Sequence, residues 1–325
     1  MVQQFKSNSN FKLENGKQLE NITIAYHTYG EFIEGATKVI WVCHALTANS
    51  DVADWWSNIF GENKILDPEK YFIVCANIVG SCYGSHSPIC IDEATQKNYG
   101  KTFPDISVRD MVAAHIILKK HLRIEEIFLL MGGSLGGQQC MEWAITEPKV
   151  IKNMVLLATN ARHSPWGIAF NETQRMALEC GDKGLEVARA IAMLSYRNYQ
   201  MYDRTKRETD TVGNYGASSY QRYQGKKLAE RFDADCYCLV SKAMDSHDVG
   251  RSRQSIAAAL KTITAKTLVI GITTDLLFPV EEQIFLFENI DDSKLELIES
   301  PFGHDGFLTE GEKINNLILN FINSN

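Results

Sequence analysis

The chain has 325 residues, 45% of them hydrophobic and 22% charged, with a formal net charge of −7. That balance suits a folded protein with a substantial core and excludes a disordered or collagen-like chain. The acidic total, with no long Lys/Arg run, argues against a nucleic-acid partner, and no apolar run approaches the ~18–20 residues of a membrane span.

The N-terminus, MVQQFKSNSNFKLENGKQ, is polar and lacks the apolar core of a signal peptide, so a cytoplasmic location is expected. Eight cysteines are present, but no metal-binding spacing or disulfide framework appears among them, so reduced, mostly buried thiols are expected. FKLENGKQLENITIAYHTYG reads as two strands about the turn Asn15-Gly16. KVIWVCHAL and KYFIVCANIVG are continuous apolar runs, suited to strands covered on both faces of a parallel sheet. SVRDMVAAHIILKKHL has helical spacing, with Val108, Met111, Val112, His115, Ile116 and Leu118 on one side. IEEIFLLMGG is the next strand, QQCMEWAITEP the helix after it, and IKNMVLLATN another strand. This alternation predicts a mostly parallel sheet with right-handed crossovers.

The pattern changes between about His163 and Ser252. AFNETQRMALEC, GLEVARAIAMLSYRN and RFDADCYCLVSKAM read as helices, with the polar TVGNYGASSYQRYQGKK among them. The α/β pattern then resumes in AKTLVIGI, SKLELIES and the closing helix GEKINNLILNFI. The expected organisation is a split core, 1–162 and 253–325, with a helical cap at 163–252 placed to cover a crevice at the strand ends.

Gly132-Gly133-Ser134-Leu135-Gly136 fits G-x-S-x-G at the junction of a strand and a helix. A serine on such a sharp turn is lifted clear of the sheet, and the flanking glycines avoid a collision across it. A phosphate-binding loop is disfavoured, because G-x-x-x-x-G-K-[ST] and G-x-G-x-x-G are both missing. The serine needs a base. His115 and His121 lie on a predicted helix, and His27 in an early strand. His44, His163 and His247 are near strand ends or in the insertion and could line a pocket. His304, in the loop PFGHDGF before the last helix, sits where this fold class delivers its base. Asp275, just after TLVIGI, is the expected third member. Asp233, Asp235, Asp245 and Asp248 fall in the insertion, and Asp291 and Asp292 at the wrong end of a strand. The oxyanion donors are expected to be the backbone amides of Leu135, beside the nucleophile, and Leu46, in the loop WVCHALTANS.

These segments together resemble the homoserine O-acetyltransferase family, acyl-CoA-dependent enzymes of the α/β-hydrolase superfamily. The resemblance runs nearly end to end: CHALT, NIVGSCYGSHSP, FPDISVRDMV, GGSLGGQQCMEWA, NARHSPWGIAFNETQR, SYRN, RFDADCYCLVSKAMDSHDVGR and GHDGFL follow in the family's order. It implies an α/β-hydrolase fold and a ping-pong transfer of acetyl from acetyl-CoA to L-homoserine in methionine biosynthesis. Ser134 is then the nucleophile, with no permanently bound cofactor or metal. It also implies that Arg175 binds the amino-acid carboxylate, that Asp305 binds its ammonium group, and that the chain is a homodimer through the cap. Asn77, Tyr83, Tyr196 and Arg197 become candidates for the lining, and Asp245, His247, Asp248 and Arg251 for a structural or rim network.

The chain departs from the family in three places. The stretch after QRMALEC is shortened, Leu135 stands where methionine is usual, and HALTA replaces HALTG. A succinyl donor, a serine acceptor or plain hydrolysis would use the same triad. A small-molecule receptor on this fold is expected to have lost it.

Overall fold

The computed structural model describes residues 1–206, 213 and 215–324. Eight strands form the central sheet: β1 (Gln3–Lys6), β2 (Thr23–Tyr29), β3 (Val39–Cys43), β4 (Phe72–Ala76), β5 (Ile127–Gly133), β6 (Ile151–Leu157), β7 (Lys266–Ile272) and β8 (Ser293–Ile298). Their spatial order is β1-β2-β4-β3-β5-β6-β7-β8. The pairs β1–β2 and β2–β4 are antiparallel, and the remaining pairs are parallel. The mostly parallel sheet expected from the apolar runs is therefore present.

Those runs are apolar throughout because both faces are covered. Every residue of β3 and of β4 is buried. In β3 alternate side chains enter opposite layers: Trp41 joins the layer of Met111, Cys140 and Trp143, while Ile40 and Val42 join that of Leu129, Phe307 and Ile318. Helices α1 (Val108–His121) and α2 (Leu135–Thr146) pack on the first side. A capping box starts α1, with the Ser107 amide donating to Asp110 Oδ2 at 2.8 Å and the Ser107 side chain accepting from the Asp110 amide.

Two early expectations change in detail. The Asn15-Gly16 turn closes only a two-residue pair, Phe11–Lys12 with Gln18–Leu19, and Gly16 takes φ +86°. The longer strand beyond it, β2, instead pairs with β4 and with β1, the polar N-terminal segment. β1 escapes hydropathy because it is an edge strand whose side chains are exposed or half-buried.

Between β6 and β7 the described residues form α3 (Pro165–Leu178), α4 (Gly184–Tyr196), α5 (Tyr199–Thr205), α6 (Gly216–Ala229) and α7 (Ala234–Asp245), followed by the short helix Ile256–Leu260. Part of TVGNYGASSYQRYQGKK forms α6, while its residues 211, 212 and 214 lie outside the described residues. After β7 come α8 (Val280–Asn289), then β8 and the closing helix α9 (Gly311–Asn323), which buries Ile314, Ile318, Phe321 and Ile322. All eight cysteines are free. No helix among the described residues is long and apolar enough to cross a membrane.

Candidate active site

Ser134 sits at the junction of β5 and α2 with φ 57° and ψ −127°, a conformation that non-glycine residues rarely adopt. Neighbouring groups hold it there: its amide donates to Leu157 O at 2.9 Å, and Thr159 Oγ1 donates to its carbonyl at 2.8 Å. A Cβ on Gly132 would fall 2.5 Å from the Gly136 carbonyl carbon, and one on Gly136 would strike the Cys43 carbonyl. Glycine at both places is thus what lets the turn close against the end of β3. The turn places Ser134 at the N-terminus of α2, where the helix dipole favours developing negative charge.

The loops after β7 and β8 bring the second and third groups together. Asp275 Oδ1 accepts from the amides of Leu277 and Phe278 at 2.8 and 2.9 Å, which aims Oδ2 at His304 Nδ1, 2.7 Å away. A carboxylate can only accept here, so Nδ1 carries a proton and Nε2 is left to serve as the base. Burial opposes a charged His304, but the Asp275 charge and hydrogen bond, with the Asp305 charge adding to them, outweigh it and raise its pKa above the usual value. The ring is wedged by Phe278, stacked at 5.1 Å between centroids, and by Phe307 and Tyr196.

Ser134, His304 and Asp305 line one crevice of about 420 Å³ with Ala45, Leu46 and Thr47. The amides of Leu46 and Leu135 donate to no protein acceptor among the described residues. Oxyanion stabilisation needs donors of this kind. Tyr196 reaches the same crevice from α4. Asp305 Oδ2 pairs with Arg197 at 3.1 Å.

Arg175 is not brought there. Its guanidinium is held by Glu172 and Asp245, each at 2.6 Å, and by Ser241 at 3.1 Å. It lines a different cavity of about 470 Å³ with Asp105, Glu172 and Lys242. Two carboxylates already neutralise it, and a substrate carboxylate would have to displace them. Two other arginines line the crevice of Ser134: Arg231, bonded to Thr47 O and the Tyr83 hydroxyl, and Arg189, one helix further on from Arg175. Arg189 lies over the Tyr196 ring at 5.2 Å and has no carboxylate partner among the described residues. Its helical spacing in GLEVARAIA carried no sign of this, since Arg175 and Arg189 both read as charges on amphipathic helices.

Other candidates also move. Asn77 is buried and ties Ser50 and the Tyr83 carbonyl together. Tyr83 contacts the crevice only through its hydroxyl's bond to Arg231. His163 and His247 are buried among polar groups of the insertion and hold low pKa values, about 4 and about 3, chiefly through burial. His44 is fully buried. Asp245 serves Arg175 and Asn171, and Arg251 pairs with Glu14 at 2.7 Å, so that cluster is structural.

Residues 38–180 match the model of the alpha/beta hydrolase fold family. The chain is 44% identical to a homoserine O-acetyltransferase of Cyclobacterium marinum, over 95% of this chain and 92% of that one. The crystal structure of the homoserine O-acetyltransferase from Staphylococcus aureus, 30% identical, superposes with a TM-score of 0.84 over 98% of this chain and 95% of that one. Esterase E22, in the structure of its L374D mutant, is 20% identical and reaches 0.90 over 99% and 100%, which marks a common fold. Near-complete coverage at such identity, on a chain carrying the serine elbow and the Asp275–His304 pair, shows that it belongs to the homoserine O-acetyltransferase family.

Proposed function

We propose that the chain transfers acetyl from acetyl-CoA to the hydroxyl of L-homoserine through an acetyl-Ser134 intermediate. The observation that carries this reading is that Ser134, His304, Asp305 and Arg189 line a single crevice. A nucleophile and base alone describe an esterase. A guanidinium with no carboxylate partner among the described residues, and a carboxylate beside it, add recognition of a small zwitterion.

In the first half-reaction His304 Nε2 takes the Ser134 proton as Oγ attacks the thioester carbonyl. The Leu46 and Leu135 amides hold the oxyanion, and the thiol of coenzyme A leaves with the proton. In the second, the homoserine hydroxyl gives its proton to His304 and attacks the acetyl carbon. Collapse releases O-acetylhomoserine and returns the proton to Ser134. Arg189 takes the place expected for Arg175, binding the carboxylate through its fork of donors. Asp305 receives the ammonium group on the oxygen that Arg197 leaves free.

Lys227 and Arg231 line the same crevice, from the end of α6 and just beyond it. They suit the phosphates of the donor, so the acidic net charge is no obstacle: the local field decides. We infer that 163–252 acts as the cap, since it supplies Arg189, Tyr196, Lys227 and Arg231 to the crevice. Homodimerisation through it is supported by exposed Met176, Val187, Leu194 and Tyr223, and is read by light scattering on the purified protein. Eight free cysteines suit a cytoplasmic location.

The deciding experiment compares acetyl-CoA with succinyl-CoA and homoserine with serine by kcat/KM, and traps the acylated serine by mass spectrometry. Acetyl-CoA with homoserine should lead by at least ~10-fold, a margin worth roughly 1.4 kcal/mol in the transition state. Equal thioester cleavage without an acceptor would overturn the transferase reading in favour of hydrolysis.

A further inference from the structure

His44 takes no direct part in the chemistry, yet it is wholly buried immediately before the oxyanion loop. Its Nδ1 lies 2.8 Å from Ala45 O, and its Nε2 accepts from the Ile78 amide at 3.1 Å. Ala45 O can only accept and the Ile78 amide can only donate, so the ring must be the neutral tautomer protonated on Nδ1. Burial, reinforced by nearby His115 and opposed by the Ala45 bond, brings its pKa down to about 4, in keeping with that form.

The bond to Ala45 O bears directly on the crevice. The Ala45 carbonyl and the Leu46 N–H belong to one planar trans peptide and point in opposite directions. The Ala48 amide donates to the same oxygen at 3.1 Å, and the shorter His44 bond completes the hold; holding the oxygen aims the hydrogen. The Ile78 amide, just past the end of β4, anchors the ring that does the holding. A second tie joins the two halves of the oxyanion site. Gln139 Nε2 donates to His44 O and to Leu135 O, each at 3.1 Å. Gln139 Oε1 is 2.9 Å from His115 Nε2, and since the amide nitrogen is committed to two carbonyls, His115 is the donor. His115 is itself stacked on Trp143 and set edge-on to Trp41.

We propose that His44 is the positioning residue of the oxyanion hole, setting the aim of the Leu46 amide, and that Gln139 couples this loop to the nucleophile helix. The inference rests on the acyl-transfer reading. Unlike an ordinary core contact, it predicts a loss confined to transition-state stabilisation.

The test uses the full-length protein and two variants of opposite design. His44→Asn keeps an N–H donor where Nδ1 stood. His44→Gln places its amide near Nε2 and leaves Ala45 O with the Ala48 amide as its one remaining donor among the described residues. Burst acetylation of Ser134 by p-nitrophenyl acetate is measured beside turnover with acetyl-CoA and homoserine. His44→Gln should lower the burst rate and kcat ~100-fold, the scale of losing one oxyanion donor, with both KM values within about threefold. His44→Asn should recover at least ~10-fold of that loss. Equal activity of the two variants, or a loss that appears in KM, overturns the proposal. If His44→Gln does not fold, Gln139→Met decides: a kcat lowered ~10-fold at unchanged KM supports the coupling, and an unchanged kcat overturns it. Failure of the wild type to acetylate Ser134 with either donor would instead sink the acyl-transfer reading itself.

Discussion

The C-terminal end of the sheet and the helical stretch between β6 and β7 build the crevice by different means. At the sheet end, position comes from backbone. The elbow at Ser134, the Leu46 and Leu135 amides, and the loops carrying Asp275 and His304 are all placed by strand termini and peptide planes. In the helical stretch, position comes from which face of a helix turns inward. Arg189 faces the crevice, while Arg175, on the preceding helix, is locked among carboxylates elsewhere. On the proposed function, chemistry on this chain is carried by main-chain geometry, and substrate choice by side-chain facing. Changes in the first region should therefore strike kcat, and changes in the second KM.

The largest break in that contrast is expected at the triad. Ser134→Ala should remove nearly all turnover, and Asp275→Asn should cost ~10³–10⁴-fold in kcat because His304 loses the partner that sets its tautomer. Steady-state rates with both substrates check this. An Asp275→Asn variant within tenfold of wild type would break the assignment.

The two arginines sharpen the contrast further. Arg189→Ala should raise the homoserine KM roughly 10- to 100-fold, the scale of a charge-assisted hydrogen bond, with little change in thermal stability. Arg175→Ala should do the reverse. It strands Asp245, whose pKa burial already raises against the pull of Asn171 and Arg175, and should cost about 2 kcal/mol of stability with a near-normal KM. Paired kinetics and melting curves on the two variants separate these outcomes. The opposite pattern would restore Arg175 as the anchor.

A smaller effect is expected on donor binding. Lys227→Ala and Arg231→Ala should each lower kcat/KM for acetyl-CoA about 3- to 10-fold at low salt and less at high salt, as for exposed charges meeting an anion. Rates with p-nitrophenyl acetate, which carries no phosphate, should stay level. A matching loss with that ester would show that the two cations shape the crevice and do not bind phosphate.

The pH profile provides the finest test. His304 works as a base only when neutral, so kcat/KM should rise with pH through its pKa, which lies above the usual histidine value. Asp305→Asn removes one of the charges that raise it, so the acid limb should move to lower pH while the homoserine KM rises. For stability the sign is opposite in sense: a raised histidine pKa stabilises the fold at low pH, and that contribution fades as pH climbs through the folded-state value. An acid limb unmoved by Asp305→Asn would remove Asp305 from the electrostatics of the base.

Much of this was legible in the order of residues. The elbow could be read because glycine at 132 and 136 is a steric demand, and the structure shows the two colliding surfaces that impose it. Asp275 and His304 could be read because a parallel α/β chain delivers its loops to one end of the sheet, whatever the details of packing. Strand β1 could not, since an edge strand shows no hydropathic signature. The shared crevice of Arg189 with Ser134 could not either, because helix phase relative to a neighbour is set by packing between elements far apart in the chain. His44 shows the same limit. Its place after a strand was plain, but whether it opened onto the crevice or held the loop from behind depended on the Ile78 amide and Gln139, which only the folded chain brings to it. Local sterics and chain order thus determined the turn at Ser134 and the pairing of Asp275 with His304, because those constraints act between near neighbours or along the sheet. Tertiary packing decided that Arg189 and not Arg175 lines the crevice and that His44 holds Ala45 O, because side-chain facing is a property of contacts and not of spacing.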